Sequence, residues 1–342
     1  MKKSTKNSLV INFLNKERAM KTPAFPMIST CKRAIAKQSL TAVLMLGVFL
    51  LSTGAVTTLR AGGQPKEFVF SSIDPPGSVF TFPQGINDAG AISGVFTDTQ
   101  GTHGFVLQRG GVTVIDFPGA AWTWARGINT QGDLVGNYGR PGEPFSPAAL
   151  ALHGFLRSRK GQFTDLHYPG HLYEIPQRIT PTGIVLGCYH DMDFMASMHG
   201  FTLSRDGFSE FTLPSSMHNG ATPDGSVIAG LYNDLATGQG HAYLLDHGRF
   251  QPFDVPDSTL TNAWDINPQG DVVVGIYRDL SGVSHGFLRD EEGQFTSFDF
   301  PGSNSTGARG INARGEIVGW YLDSSGTRHG FLAQPRERVD GR

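Results

Sequence analysis

A tripeptide of the form His-Gly-Phe returns six times in this chain and constrains its fold more than any other feature. The copies begin at His103, His153, His199, His241, His285 and His329, the fourth of them reading His-Ala-Tyr. Successive copies are 50, 46, 42, 44 and 44 residues apart. This period is typical of the blades of a β-propeller. The sequence therefore predicts a domain of short, repeated strands.

Each repeat carries the same strand and turn signals in the same order. In the last repeat, residues 306–312 and 316–321 read as short strands on either side of a turn. That turn begins with Asn, which bonds its own backbone, and ends with Gly, which tolerates positive φ. Thr180 and Thr222 replace the Asn in two repeats, and we expect the turn to keep its geometry there. The fourth strand ends in Asp-x-Pro, as at 299–301, because proline cannot continue a hydrogen-bonded ladder.

The strand order at the two ends of the array predicts a closed ring. Residues 67–74 read as a fourth strand but precede every other element, and the last repeat ends near residue 332 without a fourth strand. Pairing residues 67–74 with 329–332 would complete that repeat and remove exposed edges, whereas an open solenoid gains nothing from the offset. We predict an all-β, six-bladed β-propeller over residues 63–335, closed by this N-terminal outer strand and followed by a tail at 336–342.

These repeats resemble the bacterial exported proteins called the HAF family, named for a His-Ala-Phe-like motif within Gly-Ile-Asn and His-Gly-Phe-Leu units. The resemblance covers residues 67–333. Gly-Ile-Asn stands at 85–87, 127–129 and 310–312, becomes Asp-Ile-Asn at 265–267, and is lost in the two middle repeats. The resemblance implies export and a repeat domain, and it supplies no established activity and no catalytic residues.

Residues 1–62 form the predicted signal peptide or N-terminal targeting segment. They contain ten of the 28 Lys and Arg residues and one of the 30 acidic residues, with basic residues at 32–37 before an apolar run at 40–56. This order is typical of a signal peptide. An uncleaved anchor is the alternative, although the run is shorter than the roughly 20 residues of a membrane-spanning helix. We expect a periplasmic, cell-surface or extracellular protein that contacts a membrane only if the segment stays uncleaved.

Charge, cysteine usage and motifs exclude several classes of function. Without residues 1–62 the chain carries a net charge of −11, which argues against a nucleic-acid partner. Cys31 lies in the targeting segment, so Cys188 has no disulfide partner and stability must come from burial. The six motif histidines fall in six different repeats, so we predict a structural role for them and no metal site. No phosphate-binding glycine loop, nucleophile elbow or dinucleotide motif is present, which weakens the case for an enzyme without closing it, and we assign no catalytic residue and no cofactor.

The candidate ligand-binding site lies where the second and third repeats depart from the pattern. It consists of His171, Tyr173, Glu174, His190, Asp191 and Asp193. In a propeller the loops that carry these residues share one face, and their aromatic, imidazole and carboxylate groups suit a sugar or a divalent cation. The alternative is a variable surface loop that binds nothing. We interpret Cys188 as a small buried residue, because a catalytic Cys188–His190 pair would lack an orienting third group.

The sequence as a whole indicates a non-catalytic recognition or interaction propeller, with a glycan or a protein as its partner. A passive structural surface protein is the first alternative. The second is a propeller enzyme, a hydrolase or lyase, with a site on loops near the second and third blades. A binding module needs only aromatic and polar contacts, whereas an enzyme needs a nucleophile, base or metal in hydrogen-bonding geometry.

Overall fold

The structure, a computed structural model, describes residues 67–143, 152–171, 173–190, 198–211, 213 and 215–336. The predicted targeting segment and all but the first residue of the predicted C-terminal tail lie outside these residues. The described residues form strands and no helix. Accordingly, they include no helix with the length and apolar character needed to cross a membrane.

Twenty-four strands occur in the described residues. They are β1 (Phe68–Ile73), β2 (Phe80–Ile86), β3 (Ile92–Thr97), β4 (Thr102–Gln108), β5 (Gly111–Ile115), β6 (Trp122–Ile128), β7 (Leu134–Gly139), β8 (His153–Arg157), β9 (Phe163–Leu166), β10 (Tyr173–Ile179), β11 (Val185–His190), β12 (Met198–Ser204), β13 (Gly207–Glu210), β14 (Ser216–Ala221), β15 (Val227–Asn233), β16 (Gly240–Asp246), β17 (Arg249–Phe253), β18 (Ser258–Ile266), β19 (Val273–Asp279), β20 (Ser284–Arg289), β21 (Phe295–Phe298), β22 (Ser305–Ile311), β23 (Ile317–Leu322) and β24 (Arg328–Pro335). They form two sheets of four strands and two of eight.

All four sheets consist of antiparallel groups of four strands. The groups are β2–β5, β6–β9, β10–β13, β14–β17, β18–β21, and β22–β24 together with β1. Each eight-stranded sheet contains two such groups joined by one parallel bridge, between Thr102 and Trp122 in one sheet and between Gly240 and Leu260 in the other. We call the first strand of each group, namely β2, β6, β10, β14, β18 or β22, its lead strand.

The N-terminal strand occupies the fourth place in the last group. β1 pairs antiparallel with β24, with Phe68 opposite Pro335 and Ile73 opposite Gly330. The imidazole Nδ1 of His329 lies 3.0 Å from Asp74 Oδ2, which follows β1 directly. The predicted pairing of residues 67–74 with the end of the last repeat is therefore confirmed.

The Asn-x-x-Gly turns connect neighbouring groups as well as neighbouring strands. Asn87 Oδ1 accepts a hydrogen bond from the backbone N–H of Ala91 at 2.9 Å, and Gly90 has φ of 77°. The other end of the Asn87 amide donates to the Asn129 carbonyl of the next group at 2.8 Å. Asn312 of the last group donates in the same way to the Asn87 carbonyl at 3.2 Å. The same side chain thus shapes the turn and joins adjacent groups, including the last and the first.

The two turns that begin with Thr keep this geometry, as predicted. Thr180 accepts the N–H of Gly183 on its carbonyl at 2.9 Å, and Thr222 accepts that of Gly225 at 2.9 Å. The Thr180 hydroxyl accepts the N–H of Ile184 at 3.1 Å, where Asn87 uses its side-chain oxygen. A hydroxyl therefore replaces the amide oxygen within the turn.

The aromatic residue of the repeated tripeptide forms the core of each group. These residues are at most 1% exposed: Phe105, Phe155, Phe201, Tyr243, Phe287 and Phe331. Space for the ring comes from a glycine on the neighbouring strand, since a Cβ atom on Gly94 would lie 2.6 Å from Phe105 Cε1. Burying one such ring stabilises the fold by roughly 2–3 kcal/mol. Repetition of this contact supplies a core that needs no disulfide.

Each motif histidine lies between a carboxylate and an aromatic ring. Four of them contact the Asp of the Asp-x-Pro segment through Nδ1: His103–Asp116 at 2.9 Å, His241–Asp254 at 2.8 Å, His285–Asp299 at 2.9 Å and His329–Asp74 at 3.0 Å. His153 and His199 face Glu143 and Glu210 instead. The ring partners come from the second strand, as with Tyr321 at 5.2 Å from His329 between centroids. Five of the six histidines thus link the second, third and fourth strands of their groups, whereas Glu143, the partner of His153, lies in the loop between the second and third strands.

Candidate functional site

The structure divides the predicted site between two faces of one sheet. In the β10–β11 pair, Tyr173 lies opposite His190 and Glu174 lies opposite Tyr189. Because directly opposite residues point to the same face, Tyr173 and His190 share one face while Glu174 and Tyr189 share the other. His171 joins the second face, with its ring centroid 4.2 Å from that of Tyr189. Asp191 and Asp193 lie outside the described residues.

The face with His171 carries a row of stacked rings. Tyr168 stacks on Tyr189 with 4.0 Å between centroids, and Tyr189 stacks on the motif residue His199 at 4.9 Å. His171 packs against Tyr168 at 5.4 Å from the side. Tyr168, His171 and His199 are half-buried. This ring row lies at the edge between the second and third groups.

Glu174 is buried beneath the ring row. Its side chain is 1% exposed, and Oε1 accepts the backbone N–H of Tyr168 at 3.0 Å. The imidazole Nδ1 of His167 lies 3.7 Å from Oε2. Burial raises the pKa of Glu174 to about 7, although backbone hydrogen bonds act against this rise. The carboxyl group ties the loop before β10 to the sheet and is closed to a ligand in solvent.

The opposite face carries His190 and Cys188 into the interior. The Cys188 Sγ lies 3.3 Å from His190 Nε2. Burial raises the pKa of the Cys188 thiol to about 12, so the thiol stays protonated near neutral pH. A nucleophilic cysteine requires the thiolate, so this pair does not have the form of a catalytic dyad.

Both residues line a cavity of about 280 Å³, which we call the central cavity. Every lead strand contributes to its lining: Phe82, Trp122, Trp124, Arg126, Ile175, Gln177, Met217, Trp264 and Arg309. The sequence contains four tryptophans, and three of them stand here. Of the seven remaining lining residues, Leu152, Met198 and Leu231 are aliphatic or thioether, Cys188 is a thiol, and Asn137, His190 and Asn233 are polar, although the surface that the lining presents is mainly apolar. The cavity therefore has the apolar walls and few polar groups that are typical of a small-molecule site.

A β-bulge at the same place in every lead strand positions the polar groups of this cavity. The residues at the register shifts are Gln84, Arg126, Gln177, Asn219, Trp264 and Arg309. A bulge inserts one unpaired residue and changes the direction in which side chains point. Four of these six residues line the central cavity. We call the six residues the bulge belt.

Arg126 is held by neutral groups of the bulge belt and the neighbouring strand. Its Nε donates to Asn137 Oδ1 at 2.5 Å, and Nη1 donates to Gln177 Oε1 at 3.2 Å. Its guanidinium carbon lies 4.9 Å from the ring centroid of Trp124. Burial, with a smaller contribution from the positive charge of Arg178, lowers the pKa of Arg126 to about 10. The charged form of Arg126 is therefore stabilised less than in water.

Arg309 lies deeper and carries an N–H group without an acceptor. Its guanidinium carbon lies 3.2 Å from the ring centroid of Trp264, and Nη2 donates to Gln84 Oε1. Its Nε and the indole Nε1 of Trp264 are buried without a hydrogen-bond partner among the described residues. Burial, and then the charges of Arg126 and Arg178, lower the pKa of Arg309 well below its usual range. Both unpartnered groups are hydrogen-bond donors.

An ion pair joins β10 and β18, the two lead strands that lack glycine after the bulge residue. Arg178 and Asp265 stand at the position that holds glycine in the other four lead strands, and Arg178 Nε lies 3.3 Å from Asp265 Oδ2. Asp265 also accepts the backbone N–H of Ile311 at 3.1 Å. The two replacements of glycine therefore place opposite charges in contact.

Sequence reasoning missed the central cavity, although one signal for it was present. The residue that precedes each intact Gly-Ile-Asn is polar: Gln84, Arg126 and Arg309. Each is the bulge residue of its lead strand. Among the residues that the structure describes, no group of three or more His, Cys, Asp or Glu side chains is arranged to hold a metal ion.

Comparison with known proteins identifies the fold. No family model and no curated protein matches this chain. It is similar to the crystal structure of TolB from Acinetobacter baumannii, with 12% identity and a TM-score of 0.51 over 72% of this chain and 65% of that one. It is also similar to a putative TolB from Agrobacterium tumefaciens, with 14% identity and a TM-score of 0.51 over 81% of this chain and 100% of that one.

A further similar structure is the β-propeller domain of the Trilobed protease from Pyrococcus furiosus, with 10% identity and a TM-score of 0.48 over 76% of this chain and 95% of that domain. The TolB structures are propeller-like, and at 12% and 14% identity the likeness concerns the fold alone. The predicted all-β, propeller-like class is confirmed.

Proposed function

We propose that this chain is an exported, non-catalytic recognition protein that binds a small ligand in the central cavity of a six-bladed propeller. The observation that carries the proposal is the cavity itself, about 280 Å³ in volume, whose lining includes three of the four tryptophans in the chain. Each tryptophan ring can bury roughly 150–250 Å² against a partner. A ligand with an apolar surface would supply that partner.

The six-bladed ring is supported by contacts between the first and last groups of strands. Asn312 bonds the carbonyl of Asn87, and Gly310 lies against Gly85 closely enough that a Cβ atom on Gly310 would be 3.1 Å from the Gly85 Cα. The six antiparallel groups then correspond to six blades, with β1 as the outer strand of the sixth. Export and membership of the HAF family are proposed from the basic and apolar pattern of residues 1–62 and from the repeated motifs.

The non-catalytic part of the proposal rests on the titratable groups of the two faces. The Cys188 thiol is protonated, and the Glu174 carboxyl is buried against a backbone N–H. Neither presents a nucleophile or a base toward a substrate. Recognition needs only the apolar walls and the polar groups of the bulge belt.

A thermal-shift screen of the full chain, with a matched pair of variants, tests the proposal. The ligands are small carboxylates, their neutral amides and oligosaccharides, and a ligand at about 100 times its Kd should stabilise the protein by roughly 2.7 kcal/mol. Leu231→Phe adds a ring to the cavity wall and should abolish the shift while the protein stays folded. His171→Ala alters only the ring row and should leave the shift unchanged.

Two outcomes would overturn the proposal. A shift that persists in Leu231→Phe and disappears in His171→Ala would move the site to the ring row, where a glycan is the expected partner. Absence of any shift across the panel would favour the passive structural alternative.

A further inference from the structure

We propose that the ligand of the central cavity is a small anion: an apolar body with one carboxylate-like group, which Arg126 and Arg309 bind. This inference rests on the proposed function, because it names the ligand class of the same cavity. It is carried by three observations: the balance of buried charge, the kind of hydrogen-bonding group left without a partner, and the nature of the walls.

The buried charge around the cavity is predominantly positive. The buried charged residues of the described ranges, histidines aside, are Arg126, Arg178, Arg309, Asp265 and Glu174. Glu174 lies on the other face of its sheet, and Asp265 pairs with Arg178. The side-chain acceptors of Arg126 and Arg309 are amide oxygens. Two buried guanidinium groups thus have no carboxylate of their own, an arrangement that is unfavourable unless an anion compensates it.

The unpartnered groups at the cavity are N–H donors, so a ligand that bonds them must supply hydrogen-bond acceptors. Arg309, which is 3% exposed, has a free Nε–H, and Trp264 has a free indole N–H. Both residues line the cavity. A carboxylate offers about four lone-pair positions and no donor, so it can accept from both. A charge-assisted bond to guanidinium is also shorter and stronger than a bond between neutral groups.

The cavity walls indicate that the rest of the ligand is small and apolar. Trp122, Trp124 and Trp264 provide flat apolar surfaces, and the volume of about 280 Å³ is at the small end for ligand sites. Aromatic walls can also surround a quaternary ammonium ion. Arg126 and Arg309 would repel such a cation, so the arrangement of charge favours the anion.

Isothermal titration calorimetry of the full chain with 4-phenylbutyrate and its neutral amide, 4-phenylbutanamide, tests the inference. The two probes have nearly the same shape and differ in charge. We expect the acid to bind at least ten-fold more tightly, which corresponds to about 1.4 kcal/mol. Arg126→Met and Arg309→Met should each reduce this preference toward unity. Arg289→Met is the matched control, because Arg289 also stacks on a ring, 4.8 Å from the Phe253 centroid, but does not line the cavity.

Each result decides the inference. Equal binding of acid and amide would refute the anion while leaving recognition in the cavity intact. If neither probe binds and the wider screen yields only neutral ligands that Leu231→Phe excludes, the anion is again refuted and the proposed function stands. If the screen finds no ligand, both the anion and the proposed function are refuted. The comparison of acid and amide uses the unaltered protein, so it remains decisive if an arginine variant fails to fold.

Discussion

The energy of interaction between β10 and β18 can be measured at the Arg178–Asp265 pair. In Asp265→Gly, the Arg178 guanidinium keeps only the carbonyl oxygens of Gln177 and Arg309 as acceptors. Removing one partner of a buried ion pair costs about 3–5 kcal/mol. We expect a loss of about 4 kcal/mol in the free energy of unfolding. Arg178→Gly should cost less, about 2–3 kcal/mol, because Asp265 keeps the N–H of Ile311 and the nearby charge of Arg309.

The double variant Arg178→Gly/Asp265→Gly completes a cycle that isolates the interaction energy of the pair from the other contacts of each residue. It places glycine at both positions, as in the other four lead strands: Gly85, Gly127, Gly220 and Gly310. Each glycine adds a backbone penalty of up to about 1 kcal/mol, but that penalty is present in the single variants too and cancels in the cycle. We expect the double variant to be less destabilised than the sum of the single variants by about 2–3 kcal/mol.

Urea unfolding followed by tryptophan fluorescence, on the full chain at pH 7, measures the four free energies. The control cycle uses Arg336→Ala and Glu67→Ala, an ion pair in which both side chains are about two-thirds exposed. Its coupling energy should stay below about 1 kcal/mol. If the costs of Arg178→Gly and Asp265→Gly add to within about 0.5 kcal/mol, the two departures do not compensate each other and the reasoning is wrong.

Two further predictions concern charge and the repeated motif. Glu174→Gln should stabilise the fold by about 1–2 kcal/mol at pH 8 and little at pH 4.5. The folded pKa of Glu174, about 7, exceeds the ordinary value of 4.5, so its ionisation lowers stability as pH rises between these values. Urea midpoints at both pH values measure this effect. Glu316→Gln is the control: burial alone would raise the pKa of Glu316, but hydrogen bonds from Asn312, Gln334 and Arg314 outweigh it and lower the pKa, so this substitution should destabilise at pH 8. His329→Ala should lower stability by about 1–2 kcal/mol in thermal unfolding, because it removes the contacts with Asp74 and Tyr321. The exposed control His247→Ala should change stability by less than about 0.5 kcal/mol. An unchanged melting temperature in His329→Ala would contradict a structural role.

The all-β class, the turns and the pairing of the terminal strands could be predicted because their signals are local and repeated. A turn of the Asn-x-x-Gly type needs only four adjacent residues. Thr180 shows that the geometry survives when a hydroxyl replaces the amide. The position of β1 followed from counting fourth strands, and Asp74 then stands beside His329 as the other Asp-x-Pro residues stand beside theirs.

The candidate site was harder to predict because loop proximity does not fix the direction of side chains. Tyr173 and Glu174 are adjacent in one strand, so they point to opposite faces of the sheet. His190 follows Tyr173 into the interior, while His171 belongs to the ring row and Glu174 lies beneath it. Alternation within β10 was therefore enough to show that these residues could not form one cluster.

The central cavity was missed for a different physical reason. A bulge breaks the alternation that sequence patterns rely on, because one extra residue changes the face to which the neighbouring side chains belong. Arg126 and Arg309 therefore look like ordinary members of a strand when the sequence is read alone. The contact between Arg178 and Asp265 spans two non-adjacent lead strands, so it becomes visible only when the strands are arranged in space.

The contrast between repeated and varied positions supports the proposal that recognition takes place at the bulge belt. The aromatic residue of each tripeptide packs against equivalent positions of its own group, so the same type of side chain suits every group of strands. The bulge residues instead contact those of neighbouring lead strands, as Arg126 contacts Gln177 and Arg309 contacts Gln84, and four of the six line the cavity, where identical side chains would repeat one charge or one shape. This chain places two arginines, two glutamines, an asparagine and a tryptophan there. An asymmetric set of this kind can bind one ligand in one orientation, whereas six equal residues would offer six equivalent orientations.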